Sequence, residues 1–244
     1  MFPIRDSIPR IHTPWGVYII IGLNLLVFLL ELTLPHDALV GFIHLYGVVP
    51  ARYFHAQGTI WEQYPGGILS LFSYMFLHGG WMHFIVNMWT LWIFADNIED
   101  VMGTVRFLLF YVLCGLCALG LHMAFNQHSM MPVLGASGAI AGVMGAYFML
   151  YPHAKVLTLI PIIIIPLFLD LPAVLFLGLW FIIQLFSGIS SVGAAETGGI
   201  AWWAHAGGFI AGILLLPLFR QSKRCYFCYN SRGKRIGVAR WSDH

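Results

Sequence analysis

Six stretches of this chain, approximately residues 15–34, 81–94 with an apolar lead-in from 68, 105–125, 137–151, 171–186 and 201–219, are apolar and nearly free of charge. A helix needs about 20 such residues to cross a bilayer, and fewer when neighbouring helices enclose it. Lipid offers no partner for backbone polar groups, so each stretch reads as a spanning helix. Only 9% of the 244 residues are charged, whereas a soluble domain carries about a quarter. The chain therefore reads as an all-α, polytopic membrane protein. Its formal charge of +2 is too small and too scattered to suggest nucleic acid as a partner.

Charge also fixes the count and the sidedness. With six spans, Arg5, Arg10, Arg106, Lys155, Arg220, Lys223, Arg224, Arg232, Lys234, Arg235 and Arg240 share one side, and only Arg52 lies on the other. That is a positive-inside pattern with both termini cytoplasmic. A seventh span would throw the basic tail outside, so "VLTLIPIIIIPLFLD" (156–170), with prolines at 161, 166 and 172 close by, reads as an interfacial or half-buried connection. The organisation expected is a cytoplasmic arm (1–14), a six-helix membrane domain (15–219) and a basic cytoplasmic tail (220–244). The arm, with Arg5, Arg10 and three prolines, does not read as a cleavable leader. The tail suits anionic lipid at the inner leaflet.

The unusual polar residues gather at one depth. Spans two, four and six all begin on the outer side. His83 and Asn87 lie near the start of the second, one helical turn apart on one face. Ser137 opens the fourth, and His205 lies one turn into the sixth. The fourth span is short: from 137 to 151 a helix rises roughly 21 Å, against about 30 Å of hydrocarbon. Ser137 should then lie on the order of 8 Å below the outer surface. Buried polar groups at such depth are functional candidates by default. Gly138 and Gly142 form GxxxG on span four, and Gly208 and Gly212 do so on span six. Such faces let helix backbones approach closely. If these two meet, Ser137 and His205 come together as nucleophile and general base. The Ser137 backbone N–H, His83 and the Asn87 amide could stabilise an oxyanion. Asp170, Asp96, Glu99 and Asp100 fall on the other side, and Glu196 reads as a solvated loop acid, so a dyad is expected rather than a triad.

Other constellations read more plainly. Cys114 and Cys117 sit inside an apolar span as small packing residues. Cys225 and Cys228 form a lone CxxC in the tail, a weak signal for zinc or redox chemistry. The outer histidines His44, His55, His78, His83, His122, His128 and His205 make no ready metal site. His78 and His83, five apart, lie about 140° from each other around a helix. Neither metal nor cofactor is expected.

"HGGWMHFIVN" (78–87), "GASG" (135–138) and "AHAGGFIAG" (204–212), in that order, resemble the rhomboid family of intramembrane serine proteases. "FADNIEDVMGTVRFLLFYVLCG" and "LGLWFIIQLFSG" are similar to family text as well, so the likeness runs through roughly residues 15–219. The resemblance implies six helices around a short central fourth, and a water-filled cavity open to the outer side. It makes Ser137 the nucleophile, His205 its base, His83 and Asn87 the oxyanion site, and His78 a structural or accessory histidine. It implies single-span membrane proteins as substrates, lateral entry past span five, no cofactor, and residence in a bacterial inner membrane. Leu69 and Ser70 stand where many members carry Trp-Arg, which leaves the anchoring of the first outer loop open. Ala141 stands where some members have a tyrosine bracing the base, so how His205 is held is open too. Rival readings are a catalytically silent relative that binds membrane segments and a small-molecule channel or transporter. Oligomeric state is not legible.

Overall fold

The computed structural model describes residues 1–54, 67–162, 165–191 and 201–229. It is mostly helical. The helices are α1 (Trp15–Thr33), α2 (His36–Tyr46), α3 (Pro50–Phe54), α4 (Gly67–Ser73), α5 (Trp81–Met102), α6 (Thr104–Phe125), α7 (Ser137–Leu150), α8 (Ala173–Ser191) and α9 (Trp202–Phe219). By length and apolarity α1, α6, α8 and α9 can each cross a membrane. A short 3-10 turn, Tyr74–Phe76, extends α4, and this segment meets α5 at a 78° bend; counted as one span, the pair gives a fifth. α7 is apolar but has only 14 residues.

α7 is the centre of the bundle. Nearly all its residues are buried, and it packs against α5, α6, α8 and α9, most extensively against α9. The glycines explain the closeness. A methyl group at Gly208 would collide with the Gly138 carbonyl, and one at Gly212 with the Gly142 carbonyl. Gly142 also faces Cys114 of α6, which is buried and free, while Cys117 is exposed. With no side chains between them, the two backbones touch, and their register is set by shape rather than by polar bonds.

Carboxylates organise the opposite end. α1 begins after Pro14 with no side-chain cap of its own. Glu99 of α5 supplies one, accepting from Gly16 N at 2.8 Å and Val17 N at 2.9 Å. Negative charge there also complements the helix dipole. Asp100 accepts from Ile11 N at 2.6 Å and His12 N at 2.8 Å, and its backbone carbonyl accepts from Arg224 Nε at 2.9 Å. Both ends of the described chain thus converge on one residue. Gly103, at φ +75°, turns α5 directly into α6, a conformation glycine adopts without strain.

The all-α expectation needs correction. Within the connection at 156–170, β2 (Lys155–Ile162) and β3 (Ile165–Pro172) form an antiparallel hairpin. The arm joins it, because β1 (Phe2–Asp6) pairs antiparallel with β2 to complete a three-stranded sheet. The chain is therefore not purely α. The β-branched run around 160–165 favours extended backbone, and the two prolines pair with each other beside the turn, Pro161 opposite Pro166. In the tail, Cys225 and Cys228 are joined as a disulfide and buried. His55, Glu196 and the tail from 230 onward lie outside the described residues.

Candidate active site

α7 starts at Ser137 because the segment before it is pinned. Val48 and Val133 exchange backbone hydrogen bonds at 3.0 and 2.7 Å, and Gly135 N donates to Tyr74 O at 2.8 Å. Tyr74 is buried, with its hydroxyl on Gly115 O at 2.7 Å. Gly135 takes φ +119°, which bends the chain sharply into the helix. The described ends of the first outer loop are tied together without a Trp-Arg pair. Ser70 is fully buried and bonds Tyr53 Oη at 2.5 Å, and Ser73 Oγ donates to Tyr46 O at 2.7 Å.

On α9, His205 faces α7. Its Nε2 lies 2.8 Å from Ser137 Oγ, a hydrogen bond between residues 68 apart in the chain. Its Nδ1 lies 2.8 Å from Gln184 Oε1 on α8. The rings of Trp180 and Trp202 flank it, with centroids 5.8 and 6.4 Å away. Ser137 and His205 are both partly exposed, so the pair can be reached. What holds the histidine was open in the sequence; the structure gives a glutamine and two indoles.

His83 and Asn87 come in from α5 against Gly135, two residues before the serine. A Cβ on Gly135 would lie 2.7 Å from His83 Nε2 and 3.8 Å from Asn87 Nδ2. Asn87 Nδ2 is buried and has no hydrogen-bond partner among the described residues, which leaves a donor beside the Gly135 turn that leads into the serine. His83 Nδ1 accepts from Gly79 N at 3.3 Å. His78 lies beyond, its ring edge-on to that of His83 at 5.1 Å, with both ring nitrogens buried and without a hydrogen-bond partner among the described residues. Its backbone N–H donates to both oxygens of Glu31 at 3.2 Å.

The structure therefore brings Ser137, His205, His83 and Asn87 to one place, with His78 behind them. Two residues had escaped the sequence reading. Glu31 is a buried carboxylate on α1, but it serves the His78 backbone and not His205. Gln184 lies inside "LGLWFIIQLFSG". A polar residue in an otherwise apolar helix was the available signal. Among the described residues, no three His, Cys, Asp or Glu side chains are grouped so as to hold a metal ion.

The arrangement can do acyl chemistry. A hydroxyl bonded to an imidazole, beside amide and imidazole N–H donors, supplies a nucleophile, a base and charge stabilisation.

The model of the Rhomboid domain matches residues 65–222. The mitochondrial Rhomboid protein 1 of Saccharomyces cerevisiae is 26% identical over 168 residues, covering 67% of this chain and 45% of that protein. The mitochondrial Presenilin-associated rhomboid-like protein A of Danio rerio is 34% identical over 99 residues, 39% of this chain and 25% of the relative. Rhomboid protease GluP of Bacillus subtilis is 34% identical over 91 residues, 37% of this chain and 16% of the relative. The chain thus spans less than half the length of each of these relatives.

Proposed function

This chain belongs to the rhomboid family, and from that premise we propose that it is an intramembrane serine endopeptidase. The apolar helices make it an integral membrane protein. In the proposed reaction His205 Nε2 takes the Ser137 proton as Oγ attacks a peptide carbonyl, then returns it to the leaving amine. The Ser137 backbone N–H, Asn87 and His83 stabilise the oxyanion. Water admitted to the cavity releases the acyl group, with His205 again as base. The observation that carries the reading is the 2.8 Å contact between Ser137 Oγ and His205 Nε2.

The six-span topology belongs to the same proposal. α1, the bent α4–α5 pair, α6, α7, α8 and α9 make six crossings, the short α7 being enclosed by its neighbours. Substrates are single-span proteins whose helix unwinds readily near the outer surface. A helical peptide is protected by its own hydrogen bonds, so unwinding precedes attack. The bacterial inner membrane expected from the sequence gains no support from relatives whose names include mitochondrial proteins.

The test is fluorophosphonate labelling in detergent, together with cleavage of a single-span reporter. Wild type labels and cleaves, whereas Ser137→Ala and His205→Ala do neither and keep their melting temperatures. Cleavage that persists in Ser137→Ala rules the reading out.

A further inference from the structure

A serine–imidazole pair works in only one tautomer. Nε2 must carry a lone pair to take the serine proton, so the ring proton must sit on Nδ1. In water the two neutral tautomers interconvert freely, and a base without a second partner spends part of its time in the wrong one. Where a third group accepts from Nδ1, that ambiguity is removed. Among the described residues, no carboxylate is hydrogen-bonded to His205. Its Nδ1 is met by the side-chain oxygen of Gln184, at 2.8 Å.

A glutamine is ambiguous in its own way, since its amide can flip and present N–H in place of oxygen. Here the flip is opposed. Gln184 Nε2 donates to the carbonyl of Trp180, one turn earlier on α8, at 3.3 Å. Turning the amide would set oxygen against oxygen there and N–H against the imidazole. The side chain is also buried, which rules out easy replacement of either bond by bulk water. Trp180 lies tilted on the His205 ring from the same helix face. α8 thus supplies both a wall for the imidazole and an acceptor for its proton.

We infer that Gln184 is a positioning residue for His205: its Oε1, fixed by the hydrogen bond from its Nε2 to the Trp180 carbonyl, holds the ring proton on Nδ1 and leaves Nε2 of His205 free to accept from Ser137. The inference rests on the serine-protease reading of the same site. It makes the reacting centre the product of three helices, α7, α8 and α9. A displacement of α8 would cost the base its tautomer while leaving the serine in place.

The experiment uses the full chain in detergent, with kcat and KM measured on a single-span reporter and the rate of fluorophosphonate labelling measured in parallel. Gln184→Leu keeps the volume and loses the acceptor. Its kcat should fall on the order of 10- to 100-fold, with KM nearly unchanged and labelling slowed in step, since a general base contributes at least that much. Gln184→Glu keeps an oxygen toward Nδ1 and, protonated in this buried place, donates from its second oxygen to the Trp180 carbonyl as the amide does, so it should recover most of the loss. The 15N shifts of His205 in unsubstituted protein should show the Nδ1–H form. An Nε2–H resting form there overturns the inference without any variant, so a variant that fails to fold cannot shelter it. It is equally overturned if Gln184→Leu turns over like wild type, or if Gln184→Glu is as slow as Gln184→Leu. Either result beside an inactive Ser137→Ala leaves the protease reading standing. Turnover in Ser137→Ala removes both.

Discussion

A buried N–H without a partner costs about 1–3 kcal/mol, and Asn87 carries one, among the described residues, beside Gly135 and the turn into Ser137. Such a group is tolerable where negative charge will develop next to it. If Asn87 is the proposed oxyanion donor, its amide bonds the transition state and not the resting enzyme. Asn87→Ala should then lower kcat about 100- to 1,000-fold with little change in KM or melting temperature. A fall in melting temperature with kcat intact would instead make Asn87 a packing residue. At this scale the sequence showed much of the site, because serine and histidine are conspicuous at a common depth in apolar helices. It did not show Gln184 or Glu31. Their roles depend on how α8 and α1 are rotated about their axes, and in a span apolar on every side no periodicity reports that rotation.

The contact between α7 and α9 is where helix packing sets chemistry. Gly138 follows the serine directly, and Gly208 lies three residues after His205, so the backbone contact that excludes a Cβ lies right beneath the pair. Gly208→Ala must push the helices apart, at a cost of about 1–3 kcal/mol for overpacking. A displacement near 1 Å at the reacting atoms costs roughly 100-fold in rate. The variant should melt lower and label with fluorophosphonate far more slowly; unchanged labelling would show that the contact does not align the dyad. Helices of this kind were legible because their lengths follow from apolar runs. The sheet was not, because β1 and β2 are about 150 residues apart and no local pattern announces the pairing. One link to the bundle is Asp6, which accepts from the Tyr147 hydroxyl of α7 at 2.5 Å, and another is Pro3, whose carbonyl accepts from Trp89 Nε1 of α5 at 2.7 Å. Burial raises the Asp6 carboxyl from 3.8 to about 6, and the Tyr147 bond offsets only part of that rise. The folded arm therefore keeps a proton that the unfolded chain has released. The contribution of Asp6 is fullest below pH 3.8 and is lost as pH rises through about 6. Across that window the melting temperature of wild type should fall relative to Asp6→Asn. Parallel curves would mean that the arm does not dock through this carboxyl.

For the molecule as a whole the question is how many times the chain crosses. Length and apolarity alone give four crossings, or five with the bent pair. Five is odd and would put the two ends of the described chain on opposite faces. The geometry speaks against that, since Ile11, His12 and Arg224 all bond Asp100. The proposed sixth crossing, which makes the count even, is α7, too short to span alone but packed against four helices. The charge bias points the same way. Arg5, Arg10, Lys155, Arg220, Lys223 and Arg224 belong to segments at the Asp100 end, and Arg52 belongs to the segment that pairs with the approach to Ser137. Under the positive-inside rule the Asp100 end is the inner face of the proposed topology. Single cysteines introduced at Ser7 and Ser222 in a background lacking the native thiols should therefore be protected from an impermeant maleimide added outside cells. One introduced at Gln127, in the turn before α7, should react. Reaction at Ser222 with protection at Ser7 would make the count odd, leave α7 a re-entrant helix, and return Ser137 and His205 to an unknown depth.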